Sequence, residues 1–416
     1  MKFVFAGLIF LSAFCTTLPA AESRFHSIVA GGAHFCALSA DGSAYCWGQG
    51  VLGQLGNHST ANSASAVPVA GNLKFSMLAA GSATTCGITV GDRHAYCWGQ
   101  NANGQLGVKT TELCNEGAGK SACALVPVAV SGSMQFTQIS TSRTNSCAVT
   151  PAGDAYCWGD AGSGELGQDS LTATDQCQSG RPCSYAPLLV KGGLKFTSIM
   201  AGDSTACGIT TAGPAWCWGD DQYEQLGDGL PQHANAKVPV AVAGGLKFTW
   251  LTKGANAVCG ATASGPVHCW GGNIEFALGV PAVSETCYTQ GNLQFNCASK
   301  PLAVGAQWHA SRRPRSVSLI RTNACALDRR GHAFCWGPGT DGVLGTGSPE
   351  LWAYVPVPVA GNQRYREIAV SSGSACAVAR GGGISCWGHD FSANAPVAFP
   401  VTGQPKNPQP AGGAKK

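Results

Sequence analysis

One tripeptide, Cys-Trp-Gly, occurs seven times along this chain, starting at Cys46, Cys97, Cys157, Cys217, Cys269, Cys335 and Cys386. The steps between copies are 51, 60, 60, 52, 66 and 51 residues. A period near fifty residues means one supersecondary unit repeated, and no copy can bury its apolar face without a neighbour stacked on it. The chain is therefore read as an array of like units.

A second cysteine precedes each copy: Cys36, Cys86, Cys147, Cys207, Cys259, Cys325 and Cys376. The separation is ten residues, or eleven in the copy that starts at Cys86. Midway between Cys36 and Cys46 lies Ala40-Asp41-Gly42, a three-residue hairpin loop with glycine at its left-handed position. Gly153, Gly213, Gly265, Gly331 and Gly382 recur at the same offset, while Gly91 comes one place early. Such a hairpin puts the two cysteines opposite each other on antiparallel strands, with Cα atoms about 4.5 Å apart, within disulfide reach. The expected bridges are Cys36–Cys46, Cys86–Cys97, Cys147–Cys157, Cys207–Cys217, Cys259–Cys269, Cys325–Cys335 and Cys376–Cys386. Six more cysteines form close pairs inside the three long steps, giving Cys114–Cys123, Cys177–Cys183 and Cys287–Cys297. Buried free thiols and zinc are the alternatives. Zinc is disfavoured because no two cysteines have ligand-like spacing and the nine histidines follow no period. Neither a metal nor a cofactor is expected.

The N-terminus carries Lys2, an apolar run from Phe3 to Phe14 and small residues to Ala21, so residues 1–21 read as a secretory signal peptide. No stretch has the length of a membrane-spanning helix. A signal peptide with paired cysteines implies a secreted or periplasmic protein. The formal net charge of +4 over 416 residues gives no surface dedicated to a polyanion, and nucleic acid is not an expected partner.

Each repeat reads as four short strands. In the first they are Phe25–Ala30, Phe35–Ser39, Ser43–Gly48 and the segment Val67-Pro68-Val69, with Gly53-Gln54-Leu55-Gly56 between the third and fourth. Proline suits a fourth strand at the sheet edge. Seven such antiparallel units make an all-β, disulfide-stapled, seven-bladed β-propeller spanning residues 22–402. The strand Ala395–Val401 is expected to close the ring against the first blade, and residues 403–416 to form a flexible tail.

The linked order of Ala-Gly, cysteine hairpin, Cys-Trp-Gly and Gly-Gln-Leu-Gly resembles the regulator of chromosome condensation repeat, over nearly the whole mature chain. The resemblance implies a seven-bladed propeller that serves as a protein-binding platform. Members include the nuclear exchange factor for the Ran GTPase, a plant UV-B receptor and a secreted bacterial β-lactamase inhibitor. A signal peptide and paired cysteines depart from the nuclear members and argue against a chromatin or Ran role. The seventh copy also lacks Gly-Gln-Leu-Gly after Trp387.

Signs of catalysis are slight. Gly202-Asp203-Ser204-Thr205-Ala206 only loosely resembles a nucleophile elbow and falls between two expected strands, so it reads as a turn. Asp220, Asp221, Glu224 and Asp228 match no calcium loop and read as a solvated acidic loop. The periodic tryptophans read as core.

The insertions 110–125, 169–186 and 280–299 all fall in the third connection of their repeats, and so on one face of the ring. Aromatic side chains there, Tyr185, Tyr288 and Phe295, with Tyr223 in the fourth repeat, are the candidate contacts for a protein partner. Trp308 with Arg312, Arg313, Arg315 and Arg321 form a second candidate patch, suited to an anionic group. Trp250 and Trp352 lie outside the period and are further contact candidates. The expectation is a monomeric, non-catalytic, secreted binding propeller. Two alternatives stay open: a secreted enzyme acting on cell wall or polysaccharide through His34, His94, His268 or His332, and an envelope structural component.

Overall fold

The computed structural model describes residues 25–400, except 118, 171–174, 231–233, 264, 265, 282, 289–293, 305–313, 321, 322, 348–351 and 390–393. The expected signal segment and tail lie outside them. Seven antiparallel sheets follow one another in chain order, four with four strands and three with five. Blade 1 is built from Phe25–Ala30, His34–Ser39, Ala44–Gly48 and Ser63–Pro68, so its fourth strand starts earlier than its Val-Pro-Val core suggested. The first strands pack against those of the neighbouring blades, and the fourth lies at the sheet edge in the four-stranded blades.

Within every hairpin the two cysteines are directly paired, as Cys36 with Cys46 and Cys207 with Cys217. These seven bridges have Cα separations of 4.0–4.1 Å. The hairpin glycines among the described residues are left-handed, Gly42 at φ 81° for example, and in the longer copy Arg93 takes that conformation at φ 57°.

The Cys-Trp-Gly motif marks a bulge. In each blade the register between third and fourth strands shifts at the tryptophan, as between Cys46 and Gly48. The motif's glycine stands at φ 96–107° in all seven blades. A Cβ on Gly48 would lie 2.6 Å from the Ala33 carbonyl oxygen, so only glycine fits. The bulge aims the indole at the preceding blade. There Trp98, Trp158, Trp218 and Trp270 donate Nε1–H to the backbone carbonyls of Gln54, Gln105, Glu165 and Gln225, at 3.0–3.1 Å. Trp336 and Trp387 do the same to Ala277 and Val343. Gly-Gln-Leu-Gly is thus the socket for the next blade's tryptophan, which answers why both motifs recur together. Trp47 faces the seventh copy, which has no such loop. It stacks instead on Phe35, with ring centroids 5.8 Å apart, at a position where the next two blades carry Thr85 and Ser146.

Ring closure corrects an expectation. The last strand, Asn394–Pro400, pairs with Ile384–His389 of its own blade and completes blade 7 rather than joining blade 1. Closure uses the junction bond found elsewhere in the ring: Phe25 N–H donates to the Gly382 carbonyl at 3.1 Å, as Phe75 does to Gly42 and Phe196 to Gly153 at 2.8 Å. Ile28 N–H adds a bond to Glu367 Oε2 at 3.0 Å, and the Arg366 guanidinium donates to the Phe25 carbonyl.

Candidate functional site

The three cysteine-bearing insertions are not simple loops. Each folds back as a fifth strand on the outer edge of its blade: Glu112–Glu116 in blade 2, Asp175–Gln176 in blade 3 and Glu285–Tyr288 in blade 5. Cys114–Cys123, Cys177–Cys183 and Cys287–Cys297 staple them, with Cα separations of 5.8–5.9 Å. An insertion that pairs its backbone and carries its own bridge presents side chains from a rigid element.

The aromatic candidates divide between two blade junctions. Tyr185 is half-buried at the blade 2–3 junction beneath Lys109, whose Nζ lies 5.2 Å from the ring centroid and 3.0 Å from Asp175 Oδ1. Burial pushes the Tyr185 phenol up. Two junctions further on, Tyr223 meets Phe295 edge to face at 5.3 Å, and Tyr288 is 49% exposed on the added strand of blade 5. The next junction holds a group that the sequence only partly revealed. Phe276 packs edge to face on Tyr354 at 4.4 Å and on Trp352 at 6.3 Å. Trp352 and Tyr354 remain 41% and 48% exposed. Trp352 was a candidate already; Phe276 and Tyr354 were missed. The available signal was Phe276-Ala277-Leu278-Gly279, where phenylalanine replaces the first glycine of the socket loop. Phe276 is held there at φ 65°, and Glu224 takes the matching place one blade earlier at φ 60°. Bulky residues in a left-handed conformation persist only where the surroundings fix them.

The other candidates separate from this rim. Arg315 donates to the Tyr365 and Arg366 carbonyls and ties blade 6 to blade 7. Trp308, Arg312, Arg313 and Arg321 lie outside the described residues. Trp250 is half-buried against the core. The four histidines occupy separate hairpins. His34 is buried with Nε2 2.8 Å from Thr85 Oγ1, His268 packs on Phe248, and His332 Nδ1 lies 2.7 Å from Asp328 Oδ2. Ser204 sits in the turn between two strands of blade 4.

The acidic loop of the fourth repeat is mostly structural. Asp221 Oδ1 accepts the Leu226 N–H at 2.9 Å, as Asn101 and Asn273 accept from Leu106 and Leu278. Burial, then the neighbouring carboxylates, push Asp221 up to about 8. Among the described residues Glu285 is the one carboxylate grouped with two cysteines, Cys287 and Cys297, and those sulfurs are bonded to each other, so the group offers no thiolate to a metal.

Family models described as "Regulator of chromosome condensation (RCC1) repeat" match residues 25–54, 41–88, 92–149 and 330–380. The matched stretches are regulator of chromosome condensation repeats. It is 25% identical over 327 residues to the ultraviolet-B receptor UVR8 of Arabidopsis thaliana, covering 77% of this chain and 67% of that one. Yeast RCC1 (Prp20), solved bound to Kap60, superposes with a TM-score of 0.70 at 17% identity, covering 88% of this chain and 83% of the other. A second structure of Prp20p from Saccharomyces cerevisiae, described with its binding to Gsp1p and histones, gives 0.69 at 18% identity, covering 89% and 87%. At these identities the two structures attest the fold alone.

Proposed function

We propose that this chain is a non-catalytic binding propeller, exported to a secreted or periplasmic location, whose partner-facing surface is the aromatic rim of blades 4 to 6. The observation that carries the reading is the grouping of Tyr223, Phe295 and Tyr288 beside Phe276, Trp352 and Tyr354 at successive junctions. Rigid aromatic side chains supply large contact area for little lost entropy and dominate binding hot spots. The disulfide-clamped strand that carries Tyr288 and faces Phe295 lowers the ordering cost of association. Relatives support a protein as the partner, since Prp20 structures are described with Kap60, Gsp1p and histones. Export is supported by the N-terminal pattern and by ten local disulfides.

Replacing Tyr288, Trp352 and Tyr354 together with serine tests the surface. All three are exposed, so thermal stability should hold. Capture of the partner from the native extracellular or periplasmic fraction should fall. Undiminished capture by the triple variant refutes the rim as the binding surface. N-terminal sequencing of the mature protein tests export: a start near residue 22 is expected, and an intact residue 1 refutes it.

A further inference from the structure

At the junction of blades 2 and 3 the protein seats a cation of its own. Lys109 lies two residues beyond the last glycine of its socket loop and rests on Tyr185 and Asp175. Asp175 is the residue paired with the outer cysteine Cys183, and Tyr185 lies two places along that strand, so both project from one sheet face. Blade 5 repeats the carboxylate but moves the aromatic ring: Ser299 stands where blade 3 has Tyr185, and Phe295 lies two places to the other side of Cys297. Glu285 is paired with Cys297, and Phe295, paired with Cys287, projects from the same face as Glu285. The position matching Lys109 at the blade 4–5 junction is Gly229, which brings no charge.

Further carboxylates gather there in place of the lysine. Glu224 of blade 4 is repelled by Glu285 across the junction and by Asp228 of its own blade. Burial first, then that repulsion, push Glu224 up to about 7. The Tyr223–Phe295 pair lines the same junction. The chain as a whole is positive at +4, so this acidic, aromatic cleft is a local reversal of sign. A desolvated ammonium or guanidinium beside an aromatic face and a carboxylate is favourable on both counts.

We propose that the cleft between blades 4 and 5 receives a lysine or arginine side chain from a protein partner, seated on Tyr223, Phe295, Asp228 and Glu285 as Lys109 is seated on Tyr185 and Asp175. The inference rests on the rim being the binding surface and names the chemistry that surface selects.

The test uses the full chain and a short fluorescent peptide alternating lysine with serine, beside matched peptides carrying norleucine or glutamate. Fluorescence anisotropy should show the lysine peptide binding, weakening with salt, and the other two not binding. The double variant D228N/E285Q should weaken binding by about tenfold. The variant K109M strips the cis cation from the blade 2–3 cleft, leaves Tyr185 and Asp175 in place, and should raise the stoichiometry from one peptide to two. That gain cannot come from misfolding. Equal binding of the norleucine peptide, indifference to D228N/E285Q, an unchanged stoichiometry with K109M, or no binding of the lysine peptide each overturns the cation site. None of these touches the serine variants of Tyr288, Trp352 and Tyr354, so the rim can survive the loss of this inference.

Discussion

Glu165 offers a sharp test of how the socket loop works. It occupies the place of Gln105 and Gln225. Gln105 accepts the Asn103 N–H at 2.9 Å and donates its amide to the Arg143 carbonyl, and Gln225 accepts from Tyr223 at 2.7 Å and donates to Asp220 Oδ2 at 3.0 Å. Glu165 keeps the accepting half, taking the Ser163 N–H on Oε2 at 2.7 Å, while its buried Oε1 has no hydrogen-bond partner among the described residues. Burial first, then repulsion from Asp160, raise its pKa from 4.5 to about 8, so the folded protein holds a neutral carboxylic acid where its sisters hold an amide. Asp160 is itself buried and paired with Arg181 at 3.1 Å. A folded-state pKa raised above the unfolded value gives stability that is fully present below about 4.5 and lost as pH rises through about 8. By neutral pH the loss amounts to at most about 3 kcal/mol. Glutamine does not titrate. E165Q should therefore match the wild type near pH 4 and exceed it by up to about 3 kcal/mol near pH 7. Urea unfolding across that range measures both curves. Parallel curves, or a variant less stable at every pH, would refute the account of Glu165 as a protonated stand-in for glutamine.

Three further outcomes are expected. His34, buried and neutral, has its pKa lowered by burial from 6.5 to about 4, so stability intact above 6.5 should fall as pH drops towards 4; H34T, which copies Thr84 of blade 2, should flatten that acid limb in the same titration. A Cβ on Gly227 would lie 2.4 Å from the Trp270 indole at φ 68°, whereas Gly91 has open space around it, so by thermal unfolding G227A should lose about 2–3 kcal/mol and G91A about 1 kcal/mol. Non-reducing peptide mapping should recover ten bridges, all between cysteines six to eleven residues apart, and an abundant bridge between blades would contradict the hairpin pairing.

Much of the fold was legible because period, turn chemistry and cysteine spacing coincide. Gly42 at the midpoint of a ten-residue cysteine pair specifies both the hairpin and the register of Cys36 on Cys46. Closure was misread because a Val-Pro-Val-like strand at the C-terminus is equally consistent with either end of the ring, and the deciding contacts, such as Phe25 with Gly382, are non-local. The site was harder still. Tyr185 and Phe295 look alike in sequence as aromatics near an insertion cysteine. The structure shows that one already lies beneath Lys109 while the other shares a strand face with Glu285. Phe276 was hidden for the opposite reason: its importance comes from breaking the glycine pattern rather than repeating it.

Because each blade is one uninterrupted stretch of chain, oxidative folding has a simple search. Each of the twenty bridged cysteines finds its partner no more than eleven residues away, across a loop that closes in about 10–100 ns, far faster than disulfide exchange. The correct thiol is therefore the most frequently met one, even though twenty cysteines permit an enormous number of wrong pairings. Under oxidising conditions a blade can lock its own hairpin without waiting for the next one. Assembly of the ring is then the docking of pre-tied units, and the slow, error-prone reshuffling of distant bridges has no place in it.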